Sequence, residues 1–144
     1  MADLIATGTD LHGTCRGRLP DVRETMQRVE RFIRAQDVPQ ETRDDLNLVL
    51  SEVMTNIARH AYPDKEGVIR FGVHLEHGAV RCCLADSGIA FDPSSAGRSA
   101  PEPGAFPEGG YGWFLIRSLT DSLSYSRENG VNILRFSILH GARK

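Results

Sequence analysis

The sequence has no long apolar run, no excess of one charge and no paired cysteine framework, and each absence narrows what the chain can be. Nowhere do about 18 apolar residues run together, the length a helix needs to cross a bilayer, and the opening MADLIATGTD lacks the basic-then-apolar order of a secretory leader. A soluble, cytoplasmic protein with no membrane partner is therefore expected. Net charge is only −2, with 25% charged residues, so composition gives no reason to expect direct nucleic-acid binding. Cys15, Cys82 and Cys83 are odd in number, and two of them are adjacent inside an apolar run, which does not fit a disulfide scaffold and suits a reducing compartment. Two familiar nucleotide signatures are missing as well, the G-x-x-x-x-G-K-[ST] phosphate loop and a G-x-G-x-x-G following a strand. No internal repeat occurs. At 144 residues the chain has the size of one ordinary domain, expected to span residues 1–144 with residues 1–10 flexible.

What is present is periodicity. From Leu19, apolar residues Val22, Met26, Val29, Phe32 and Ile33 recur at helical spacing behind Pro20 and Asp21, which suit a first turn. A second helix opens at Gln40 and stops near Tyr62, because Pro63 disfavours helical geometry in the residue before it. Its Leu46, Val49, Leu50, Val53, Met54, Ile57 and Ala61 fall on one face. Residues 67–76 alternate as a half-buried strand, and 79–85 follow across a His77-Gly78 turn as the second strand of a hairpin. Residues 11–18 alternate weakly and form either a first strand or an extended entry. Residues 92–110 are rich in proline and glycine without apolar periodicity and read as a long loop. A helix over Gly112–Leu123 carries Trp113, Ile116, Leu119, Thr120 and Leu123 on one stripe, and the chain ends in two strands about a turn at Glu128-Asn129-Gly130. Antiparallel hairpins with helices on one face describe an α+β, two-layer sandwich.

Three short patterns carry chemistry. Glu52 and Asn56, four apart on the second helix, border its apolar face one above the other. A carboxamide oxygen there can ligate Mg²⁺ and a carboxylate can accept a proton, although most such pairs are solvated surface. Asp86-Ser87-Gly88-Ile89-Ala90-Phe91-Asp92 leaves a strand end, where a carboxylate can accept from an exocyclic amine and Gly88 lets backbone approach a flat ring. Read alone, the same residues make a plain turn. Gly109-Gly110-Tyr111-Gly112 opens the third helix, where exposed N–H groups can cradle phosphate; alone, this is a flexible loop meeting a helix.

In order, E-x-x-x-N, D-x-G-x-x-F-D and G-x-G resemble the N, G1 and G2 boxes of the GHKL ATPases, the Bergerat fold of histidine kinases and gyrase. The runs LNLVLSEVMTNIARHAYP, DSGIAFDP and GGYGWFLIRSLTDSLSYS resemble, more narrowly, the bacterial anti-sigma-factor serine/threonine kinases of partner-switching systems, over about residues 11–140. That resemblance implies ATP and Mg²⁺ as cofactors. It implies Glu52 as the base for an incoming hydroxyl, Asn56 as the Mg²⁺ ligand, His60 near the phosphates, Asp86 and Gly88 at the adenine, and Gly110, Tyr111 and Gly112 at the phosphates, with residues 92–110 as an ATP lid. As partners it implies a protein antagonist, which is phosphorylated, and a sigma factor or other regulatory target, with a homodimer left open. Two departures stand out. Glu108 occupies a place where kinase members can carry a basic residue, and Val131 with Asn132 replace a Thr pair of the last strand. Those departures keep a second reading in view, a nucleotide-dependent binding module without effective transfer.

Overall fold

The computed structural model describes residues 3–62, 66–90 and 110–140. Along the chain run β1 (Asp3–Thr7), β2 (Asp10–Arg16), α1 (Leu19–Arg34), α2 (Gln40–His60), β3 (Val68–Glu76), β4 (Ala79–Asp86), α3 (Gly110–Leu119), β5 (Ser122–Glu128) and β6 (Val131–Leu139). The strands form one six-stranded sheet in the order β1-β2-β3-β4-β6-β5, and every pairing is antiparallel. The expected α+β two-layer sandwich is what the chain adopts.

Alternation explains the layers. Ile69, Phe71 and Val73 of β3, Val80, Cys82 and Leu84 of β4, and Leu134, Phe136 and Ile138 of β6 are buried on one face. Against them lie Val22, Val29 and Ile33 of α1, Leu46, Val49, Leu50, Val53 and Met54 of α2, and Trp113 and Ile116 of α3, all in one core. Each fully buried large aliphatic side chain contributes about 1.5–3 kcal/mol relative to exposure. Arg70, His74, Arg81 and Arg135 point from the other face into solvent. The β5–β6 turn forms as its sequence expects, with Asn129 at φ 51° and Gly130 at φ 78°, the left-handed pair that matches the twist of a tight hairpin.

Two expectations give way. The opening residues, expected to be flexible, include β1, which pairs with β2 from Asp3↔Thr14 to Thr7↔Asp10. Gly8, at φ 60°, makes the reversal, and Leu4 packs on the core while Ile5 stays 67% exposed. The third helix was expected to run to Leu123 but ends at Leu119. Thr120 Oγ1 donates to Ile116 O at 2.8 Å, and Asp121 N–H donates to Ser137 O at 2.8 Å, so pairing with β6 takes Leu123 into β5. Residues 92–109 of the expected lid, Glu108 included, lie outside the described residues.

Candidate active site

Helix α2 supplies one wall of the site. Its edge carries Glu52 and, one turn on, Asn56, which is 8% exposed. Asn56 Nδ2 donates to Glu52 O at 2.8 Å, so the amide nitrogen is turned back onto the helix and Oδ1 is the ligand atom left for a cation. Helix α3 begins at Gly110 beside this edge. A Cβ placed on Gly112 would lie 2.7 Å from Glu52 Oε2 and 3.5 Å from Asn56 Nδ2. The positive first turn of α3 therefore abuts both residues. Of Gly110 and Tyr111, the backbone is placed in this first turn.

The end of α2 and the exit of β4 form the other half. Tyr62 Oη donates to Val68 O at 3.0 Å and accepts from Ser87 N–H at 2.8 Å, tying the helix end to both strands. Ile89 N–H donates to Ala61 O at 2.9 Å. A Cβ on Gly88 would stand 2.3 Å from that same carbonyl oxygen, so Gly88 has a steric reason inside the protein, against the end of α2. This differs from the expected reason, room for a ring.

Asp86, 6% exposed, sits at the last position of β4 opposite Asn132 of β6. Its Oδ1 accepts from Gly88 N–H and from Asn132 Nδ2, both at 2.9 Å. Asn132 Nδ2 also donates to Ile89 O at 2.9 Å, and its Oδ1 accepts from Tyr125 Oη at 2.5 Å and Arg127 Nη1 at 2.7 Å. Arg127 Nη1 further donates to Gly88 O at 3.0 Å. In the sequence Asn132 stands out only as a departure, and no motif singles out Tyr125 or Arg127. The one signal that points to them is the outward-inward alternation of β5, which puts Tyr125 and Arg127 on the side of the sheet that faces the site.

These parts form an open recess lined by Val53, Asn56, Ile57, His60, Ala61, Asp86, Ile89, Trp113, Tyr125, Asn132 and Leu134. Mostly apolar walls with a few convergent polar groups suit a flat heteroaromatic ring. His60 lines the same recess, exposed at the last position of α2 and two turns from Glu52. Thus Asn56, His60 and Asp86 come together in one recess, with Glu52 and Gly112 in contact at one side of Asn56. Among the described residues, no group of three or more His, Cys, Asp or Glu side chains gathers to hold a metal. A hard divalent cation at Asn56 would draw its remaining oxygens from phosphate and water, as Mg²⁺ commonly does.

Comparison with known proteins bears on the same stretch. Residues 15–138 match the family model described as histidine kinase-like ATPase domain. The serine-protein kinase RsbW of Oceanobacillus iheyensis is 35% identical over 103 residues, 65% of this chain and 64% of that protein. The serine-protein kinase RsbW of Bacillus thuringiensis is 31% identical over 98 residues, 63% of this chain and 61% of that protein. The match thus spans just under two thirds of the length of these curated relatives. Among solved structures, the RsbU and RsbW domains of a Mycobacterium tuberculosis protein superpose with a TM-score of 0.64 at 16% identity, over 94% of this chain and 33% of that one. The blue-light activated histidine kinase of Erythrobacter litoralis gives a TM-score of 0.57 at 23% identity, over 87% of this chain and 41% of that one. At such identities these two structures speak for the fold.

Proposed function

The chain belongs to the histidine kinase-like ATPase domain family, and from that premise we propose that it is an ATP-dependent protein serine/threonine kinase that also acts as an anti-sigma factor, phosphorylating a protein antagonist in a partner switch. The observation that carries this reading is the convergence on one recess of Asn56 from α2 and Asp86 from the end of β4, with the first turn of α3 packed against Glu52 beside it. The similarity to curated serine-protein kinases supports it.

In this reading the apolar walls take the purine, and Asp86 accepts a hydrogen bond from its exocyclic amine. Asn56 Oδ1 would hold Mg²⁺ and the α3 amides would face the phosphates, with Gly110 and Gly112 keeping that turn free of side-chain bulk. His60 lines the recess edge. Bound there, the cation would draw negative charge off the transferring phosphoryl group. Glu52, within a turn of Asn56, accepts the proton of an incoming serine or threonine hydroxyl. Because little covalent chemistry is asked of the protein, positioning is its main contribution.

The test is incubation of the protein with Mg-ATP and a cognate antagonist domain, read as phosphoserine or phosphothreonine by mass spectrometry. Transfer by the native chain and its loss in Glu52→Gln, with ATP binding kept, is the expected result. Unchanged transfer in Glu52→Gln removes the assigned base. Tight ATP binding with no phosphorylated product selects the binding-module reading, which the departure at Glu108 in the sequence keeps in view.

A further inference from the structure

We propose that Asn132 is a positioning residue that sets base selectivity through Asp86 without itself forming a hydrogen bond to the base. The proposal rests on the reading of the recess as a nucleotide site. Its ground is the hydrogen-bond chemistry of one buried carboxamide. A carboxamide has two N–H donors and one oxygen with two lone pairs. Both donors of Asn132 are engaged, by Asp86 Oδ1 at 2.9 Å and by Ile89 O at 2.9 Å. Both lone pairs are engaged as well, by Tyr125 Oη and Arg127 Nη1. Nothing remains with which Asn132 could recognise a ligand directly.

The orientation of the amide is chemically determined. A guanidinium only donates and a backbone carbonyl only accepts, so turning the amide over would set its NH₂ against Arg127 and its oxygen against Ile89 O. Arg127 and the Ile89 carbonyl therefore fix Asn132, and Asn132 fixes Asp86. Oδ1 of Asp86 receives Gly88 N–H from its own turn and Asn132 Nδ2 from across the sheet ladder. Two donors from two directions hold the carboxylate plane and occupy Oδ1, which leaves Oδ2 as the acceptor for a purine amine. The bond to Ile89 O steadies the recess wall on the same side. Sequence position alone suggests a lost contact at this point of β6; the geometry assigns a relay.

A cycle between residue and ligand group separates this role from simple packing. Affinities for ATP and for purine riboside 5′-triphosphate, which lacks the 6-amino group, are measured for the native chain, Asn132→Ala and Arg127→Leu, with melting curves taken alongside. The native chain is expected to favour ATP by about tenfold or more, the range for a hydrogen bond to a charged group. In Asn132→Ala the affinity for ATP falls towards that for the analogue, which itself stays within about twofold, so the preference collapses. Arg127→Leu, which leaves Tyr125 on the amide, shifts the ratio in the same direction by less and serves if Asn132→Ala does not fold. Parallel loss for both ligands, or an unchanged ratio in both variants, overturns the relay while leaving the nucleotide site intact. Failure of the native chain to bind either triphosphate overturns the nucleotide reading itself.

Discussion

A Cβ on Gly112 would lie 2.7 Å from Glu52 Oε2. Because the obstructing atom is the end of a flexible side chain, the fold can accept alanine there, and alanine gains up to about 1 kcal/mol over glycine in a helix. Glu52 must then leave its place beside Asn56. Gly112→Ala is expected to melt at or slightly above the native temperature and to transfer phosphate about tenfold more slowly or worse. An unchanged transfer rate in a kinase assay would show that the carboxylate's position is immaterial.

Gly88 presents the opposite case. Here the added Cβ would meet Ala61 O at 2.3 Å and Ala61 C at 2.6 Å, and backbone at a helix end cannot swing aside. Gly88→Ala should break the Ile89 N–H to Ala61 O bond of 2.9 Å and destabilise the chain by about 1–3 kcal/mol, the range for overpacking a filled interior. Urea unfolding gives the value, and a change below about 0.5 kcal/mol, the surface range, would contradict it.

Asn56→Leu keeps volume but removes the oxygen assigned to the cation. In the native chain, adding Mg²⁺ is expected to tighten ATP binding. In the variant the Mg²⁺ and EDTA titrations should coincide, with the EDTA value near that of the native chain. Retention of the full Mg²⁺ effect would place the cation elsewhere.

What the sequence disclosed and what it hid follow from range. The face of α2 and its Glu52–Asn56 strip were legible because 3.6-residue periodicity and i, i+4 spacing are local. The β3–β4 and β5–β6 hairpins were legible through alternation and turn residues. Asn132 was not, since its meaning lies in a ladder that sets it opposite Asp86, and no local pattern reports that register. The end of α3 failed for the same reason: Leu123 continues the helical stripe on paper, but Asp121 is captured by Ser137. Strand β1 was missed because an edge strand with Ile5 outward gives little alternation to read.

Burial pushes the Cys82 thiol well above its ordinary value of 9.0, with the neighbouring Cys83 adding to the effect, and burial also raises Cys15. Below about pH 9 both folded and unfolded chains keep these protons, so the thiols add no pH dependence near neutrality. Above it the unfolded chain ionises first and stability falls, by up to about 1.4 kcal/mol per pH unit for each thiol until the folded group itself ionises. Urea unfolding of the native chain and of Cys82→Ala between pH 7 and 10.5 measures this. The variant should be less stable throughout but lose less on going alkaline; equal slopes would contradict a buried, protonated Cys82.

The proposed function requires one recess that takes ATP with its base at Asp86. Titration calorimetry of Mg-ATP into the native chain and into Asp86→Asn tests that most directly. The expected result is saturable one-to-one binding to the native protein and affinity reduced about tenfold or more in the variant, since an amide cannot replace the carboxylate towards both Gly88 and Asn132 and still accept the purine amine. Absence of binding to the native chain, or equal affinity in a folded Asp86→Asn, would contradict it.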